Sequence, residues 1–292
     1  MTKDQTPPDR RTVLRVTALL GAAATAGLLL PEGSRGPHGS WGSGGSGGAG
    51  SSRTVAGAPG GPPMAAGQAV RASAYRLEPM TAHPPGMRRA LPPVRRRPFH
   101  RLPASTGRTM VLTFDDGPDP QYTPGILRTL RRYDVRAMFF VCGEMVTVHR
   151  RLLRQIADDG HVIGNHSWSH PLIPRLAPSG IRRELGRTSE VIEEVSGLAP
   201  LWYRAPFGAW NRHSFEIGAE LGMEPLAWTL DTLDWTEPGT GTIVSRVLDG
   251  AAPGVVVLSH DAGGDRSQSV AALRHYLPRL LDDGYRLTVP RR

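Results

Sequence analysis

An aspartate pair, Asp115 and Asp116, is followed 50 residues after its second member by His166 and then, four residues on, by His170. Carboxylate and imidazole are donors that a borderline divalent ion accepts. Three of them from two neighbouring strand ends would leave positions open for water and substrate, the pattern of a catalytic rather than a structural centre. Each pair sits in a short package. Thr-Phe-Asp-Asp-Gly-Pro (113–118) follows the apolar run Met110-Val111-Leu112, and Asn-His-Ser-Trp-Ser-His-Pro (165–171) follows Val162-Ile163-Gly164.

Each feature alone has a plainer reading. An aspartate pair before Gly-Pro serves equally as a turn or helix cap, and single histidines are often core or surface residues. Three further clusters change the weighing. Arg204-Ala-Pro-Phe207 sets a fixed charge beside a rigid turn, where it can orient an ionised carboxylate or form an ordinary ion pair. Asp231-Thr-Leu-Asp234-Trp235 offers two acids and an indole, and Leu258-Ser-His260 ends the last long apolar run.

The elements that must position these groups follow from periodicity. From Thr109 onward, short apolar runs alternate with amphipathic stretches. Strands are predicted at 110–114, 136–141, 161–164, 201–204, 224–229, 254–259 and 286–289. Helices are predicted at 124–133, 146–158, 181–195, 215–221, 242–248 and 270–281. Continuous apolar strands between helices indicate parallel β/α units, and about seven strands indicate an irregular (β/α) barrel of the α/β class. The polar clusters fall after successive strands, at the C-terminal ends where such barrels keep their chemistry.

The rest of the chain reads differently. Residues 1–108 hold 15 Lys/Arg against 4 Asp/Glu, whereas 109–292 hold 20 against 22, so the basic pI of about 10.6 belongs to the N-terminal arm. A nucleic-acid partner is not expected, since no basic-aromatic motif accompanies the charge. Residues 1–30 read as an export signal or N-terminal anchor. Arg10-Arg11 precede an uncharged apolar stretch, Val16 to Leu30, that is short for a membrane span, and the arginine pair resembles a twin-arginine signal. Residues 31–108 read as a disordered Gly/Ser/Pro/Arg-rich linker. Its arginines at 88–101 either meet a membrane or anionic wall polymer or form a solvated arm. The single cysteine, Cys142, excludes an internal disulfide and reads as a small buried hydrophobe.

In order and spacing, the five clusters resemble the polysaccharide deacetylase family, the NodB homology domain of carbohydrate esterase family four. The resemblance spans roughly 109–289, and the family's Arg-x-Pro-Tyr is met with Phe207 in place of tyrosine. It implies a metal-dependent hydrolase that removes N-acetyl groups from a polysaccharide, with 109–292 as the catalytic domain. Asp116, His166 and His170 would hold Zn2+, although Co2+ or another divalent metal suits the same donors. Asp115 would act as general base, held by Arg204, and His260 as general acid, its pKa raised by Asp234. The Phe207 amide would meet the oxyanion, and Trp235 and Leu258 would wall the acetyl pocket. An exported, wall-associated enzyme acting on peptidoglycan is expected first, and chitin or a chitooligosaccharide second. An O-acetyl esterase and a non-catalytic glycan-binding protein are the rival readings.

Overall fold

The computed structural model describes residues 90–103 and 106–290. The segments read as signal and as the Gly/Ser-rich part of the linker lie outside the described residues. Among the described residues, no helix is long and apolar enough to cross a membrane.

The strands are β1 (Thr109–Asp115), β2 (Met138–Val141), β3 (Val162–Asn165), β4 (Trp202–Tyr203), β5 (Glu224–Pro225), β6 (Leu230–Asp231), β7 (Val256–His260) and β8 (Arg286–Leu287). They pair in parallel in the order β5-β4-β3-β2-β1-β7-β6, with β8 added at the start of β1. The helices are α1 (Thr123–Arg132), α2 (Gly143–Val148), α3 (Arg150–Asp158), α4 (Pro178–Ser196), α5 (Arg212–Glu220), α6 (Thr240–Asp249) and α7 (Ser267–Asp282). The irregular parallel barrel expected from the sequence is therefore the observed architecture, as a curled sheet of seven strands in line plus one.

Strand β1 is buried throughout. Alternation sends its side chains to two layers. Met110, Leu112 and Phe114 join the large apolar cluster that includes Ile126, Leu130, Leu273 and Leu277 of the helices. Val111 faces the inner cluster with Met138, Phe140 and Val256. Thr113 and Asp115 share that inner parity, so the strand delivers a carboxylate to the barrel interior at its C-terminal end.

Three local expectations are corrected. The helix at 146–158 is two helices, interrupted at His149 with φ −116° and ψ 41°; the β-branched run Val146-Thr147-Val148 favours a break there. Of the strand at 224–229, only Glu224–Pro225 joins the sheet as a strand, with Leu226 in an isolated parallel bridge to Phe99; the Leu226 and Ala227 carbonyls turn to a buried arginine. β6 was not foreseen as a strand of its own.

Part of the segment that composition assigned to the linker lies against the barrel. Phe99 N–H donates to Pro225 O at 2.9 Å and Phe99 O accepts from Ala227 N–H at 2.7 Å, while Leu102 N–H donates to Gly254 O at 2.8 Å. The Phe99 ring meets Trp202 edge-on at 6.1 Å, and Arg95 holds Glu224 through two hydrogen bonds. A chain begun at Arg108 should thus lose about 2 kcal/mol from the uncovered Phe99 contact surface, melting roughly 4–8 °C below one begun at Ala90. Differential scanning calorimetry of the two would test this, and equal melting points would deny the segment a structural role.

Candidate active site

The site is built around Arg204. Its side chain is fully buried, yet four of its N–H directions are used. Nη1 donates to Asp115 Oδ1 at 2.7 Å and to Thr113 Oγ1 at 2.8 Å, Nε to Leu226 O at 3.0 Å and Nη2 to Ala227 O at 2.9 Å. The guanidinium lies over the Phe140 ring at 4.2 Å. Asp115 is thereby fixed through Oδ1, while its Oδ2 stands 3.7 Å from His166 Nε2.

Asp116, His166 and His170 converge as the sequence predicted. One donor atom from each lies within 4.8 Å of the others; Asp116 Oδ1 is 3.4 Å from both His166 Nε2 and His170 Nε2. His166 Nδ1 must donate to its partner, the Arg204 carbonyl at 2.8 Å. In neutral His166, Nε2 therefore carries a lone pair toward a carboxylate oxygen that is itself buried and, among the described residues, accepts no hydrogen bond. Opposed lone pairs of this kind are relieved by a cation among them or by a proton on the imidazole. The donor set, two imidazoles and a carboxylate, fits a divalent metal.

Electrostatics agree with the geometry. Burial acts to raise the Asp116 pKa, but the proximity and charge of His166, with the charges of His260 and His170, bring it down to about 2. Burial acts to lower His166, while the charges of Asp115 and Asp116 leave it raised overall. His170 is lowered, by burial and then by the charge of His166.

The ligand loops hold unusual backbone. Asp116, Ser167 and His170 adopt φ of 78°, 67° and 55°, left-handed conformations costing about 1–3 kcal/mol each for such residues. Hydrogen bonds hold the histidine loop around Ser167. Asn165 Oδ1 accepts from Ser167 N–H at 2.8 Å, and Glu184 accepts from the N–H groups of Trp168 and Ser169, both at 2.9 Å.

On the other flank, His260 is the β7 partner of Asp115 in register. Its Nδ1 is 2.6 Å from Asp234 Oδ1, and its backbone N–H donates to Asp234 Oδ2 at 2.9 Å. Ser269 donates to the same oxygen at 2.6 Å. Burial acts to lower the His260 pKa, but the hydrogen bond and charge of Asp234, then the charges of Asp116 and Asp115, raise it to about 9.

Phe207 is exposed in a left-handed turn with φ 58°, its ring 4.5 Å from that of His170. Among the described residues, its backbone N–H meets no acceptor. Leu258 is buried and shares the inward parity of Val256 and His260, whereas Trp235 is 55 % exposed. Asp231 caps its own turn by accepting from Leu233 N–H.

Sequence reasoning missed the residues that hold others in place: Thr113, Asn165, Glu184, Ser269 and Asp261. Thr113 and Asn165 lie inside the quoted motifs, at buried strand positions where a polar residue was itself a signal: Thr113 faces the barrel interior, and Asn165 faces the helix Pro178–Ser196, donating to Leu185 O and Ser189 Oγ. Glu184 and Ser269 carry no local signal, since only the tertiary fold brings their helices to these loops.

Arg204→Met should remove the cation bonded to Asp115 Oδ1 and orphan two buried carbonyls, lowering stability by about 3–5 kcal/mol. Arg204→Lys should recover little, because an ammonium cannot reach four divergent acceptors. Urea unfolding would read both, and a loss near zero would remove Arg204 from the centre of the fold.

Comparison with known proteins agrees with this geometry. Residues 103–226 match the family model described as polysaccharide deacetylase. A peptidoglycan-N-acetylglucosamine deacetylase of Bacillus cereus is 37% identical over 62% of this chain and 66% of its own length. A chitooligosaccharide deacetylase of Rhizobium leguminosarum bv. trifolii is 36% identical over 63% of this chain and 90% of its own. The solved structure of the Bc1960 peptidoglycan N-acetylglucosamine deacetylase superposes with a TM-score of 0.63 at 34% identity, over 66% of this chain and 89% of that one. The chain spans only 38% of longer curated relatives. With its order of motifs, its curled parallel sheet and these likenesses together, the chain belongs to the polysaccharide deacetylase family, carbohydrate esterase family four.

Proposed function

We propose that this chain is a metal-dependent deacetylase that removes N-acetyl groups from an extracytoplasmic polysaccharide, with peptidoglycan as the first substrate and chitooligosaccharide as the second. The observation that carries the reading is the convergence of Asp116, His166 and His170 beside an Arg204-fixed Asp115. Both substrates are named for relatives of this family. The export-like residues 1–30 support an extracytoplasmic place of work.

Asp116 Oδ1, His166 Nε2 and His170 Nε2 would hold the ion. A divalent cation there supplies Lewis-acid polarisation of a carbonyl and acidifies water. Asp115 takes the proton of the attacking water through Oδ2, since Oδ1 is committed to Arg204. As the water oxygen bonds to the acetyl carbon, the free Phe207 N–H donates to the carbonyl oxygen that gains charge. An amide nitrogen leaves poorly as an anion, so His260 in its protonated form delivers a proton to it as the C–N bond breaks. Asp234 keeps His260 in position and protonated. Leu258 and Trp235 bound the space for the small acetyl group. The products are acetate and a free amine on the sugar.

Acetate release from peptidoglycan and from chitooligosaccharides, after chelation and after zinc is restored, tests the reading. Metal-restored release from peptidoglycan is expected. Release from O-acetyl esters alone would replace it with an esterase. Asp116→Ala and His166→Ala should each abolish zinc binding in a competition titration. Asp115→Asn should keep zinc and lose at least about a hundredfold in kcat; zinc loss there would overturn the division of roles between the two aspartates.

The general acid gives a pH signature. A raised His260 pKa leaves the acid form present below that value and lost above it, so kcat/KM should fall on the alkaline side. The limb should lie between the ordinary ~6.5 and about 9, because a bound cation offsets the charges of Asp115 and Asp116. Asp234→Asn should move the limb down, and His260→Ala should slow amides more than activated esters. Equal slowing of both would remove His260 as the acid.

A further inference from the structure

Asp261 is a fully buried carboxylate that the proposed mechanism does not use. It follows His260 directly, and its own backbone N–H donates to Asp115 O at 3.0 Å. Its side chain accepts on both oxygens. Oδ1 takes the Gly117 N–H at 3.2 Å, and Oδ2 takes the Thr123 hydroxyl at 2.5 Å. Thr123 Oγ1 accepts in turn from Asp119 N–H at 2.8 Å. The loop from Asp116 to Thr123 is thus tied at both ends to the residue after β7.

Gly117 is the peptide next to Asp116, whose left-handed backbone aims its carboxylate at the two histidines. On the other side the same stretch is held by β2, through Asp116 N–H to Phe140 O at 3.1 Å and Cys142 N–H to Gly117 O at 3.0 Å. A Cβ at Gly117 would collide with the Asp261 carboxylate, and a Cβ at Gly263 would stand 2.7 Å from Asp116 Oδ2. The segment 261–263 therefore packs on the Asp116 loop with no slack.

We propose that Asp261 is a positioning residue for metal capture, holding Asp116 in its ligating conformation through the Gly117 N–H. This rests on the reading of Asp116 as a metal ligand. A carboxylate suits the task because two donors converge on it and its oxygens only accept. Asparagine keeps one accepting oxygen for Gly117 and can donate its amide to Thr123 Oγ1, so it should keep the tether while losing the charge. Alanine loses both.

The test is zinc affinity of the metal-stripped full chain by chelator competition, with circular dichroism melting and acetate release at saturating zinc alongside. Asp261→Ala should bind zinc at least about tenfold more weakly, in the range seen when groups that orient ligands are removed. Asp261→Asn should recover most of that affinity. Gly263→Ala, which presses on Asp116 from the same side, should weaken zinc independently, so the proposal stays testable if the alanine variant fails to fold. Wild-type affinity in Asp261→Ala would overturn it. Equal loss in the alanine and asparagine variants would also overturn it, because charge rather than positioning would then be the cause. Asp116→Ala is the control: unchanged zinc binding there would overturn the ligand assignment, whereas loss there with no effect at Asp261 overturns only the role of Asp261.

Discussion

A buried guanidinium inside the curled sheet sets the terms for everything around it. Arg204 has no access to water, so its charge and its N–H groups must be met from within the protein. Asp115 meets the charge, and Thr113, Leu226 O and Ala227 O meet the remaining directions. The cost appears in the fold, because Leu226 and Ala227 give their carbonyls to Arg204 and β5 stops at Pro225. The same arginine reaches the histidine side, since its own carbonyl fixes which nitrogen of His166 carries the proton.

Arg204 thereby divides the two aspartates. Asp115, on the inward parity of β1, is drawn into the ion pair with one oxygen and keeps the other toward the cleft. Asp116, one residue on and in a left-handed conformation, leaves the strand geometry and turns to the histidines. Adjacent carboxylates so close together would otherwise compete for one environment. Here one is bound to a permanent cation, and the other presents a buried oxygen that, among the described residues, accepts no hydrogen bond. His260 completes the arrangement from β7, paired in register with Asp115 and held by Asp234.

Much of this was legible in the sequence. The strand–helix alternation gave the parallel barrel because fully buried strands read as unbroken apolar runs, as in Met110–Phe114 and Val255–Leu258. The five clusters pointed to a common face because each followed such a run. What escaped was long-range. Nothing local at 224–229 signals that two carbonyls are claimed by an arginine 22 and 23 residues earlier. The docking of Phe99 on Trp202 is equally hidden, since Pro- and Arg-rich composition looks the same whether a segment packs or not. Glu184 and Asp261 are ordinary acids in sequence, distinguished only by the loops that the fold brings to them.

The central claim is that Arg204 reserves Asp115 for proton transfer and leaves Asp116 to the metal. Diffraction from zinc-loaded crystals, with anomalous maps at the zinc edge, tests it most directly. The account predicts one peak coordinated by Asp116, His166 and His170, with Asp115 still paired to Arg204 and outside the coordination sphere. A peak ligated by Asp115, or an Asp115 carboxylate turned away from Arg204, would contradict it.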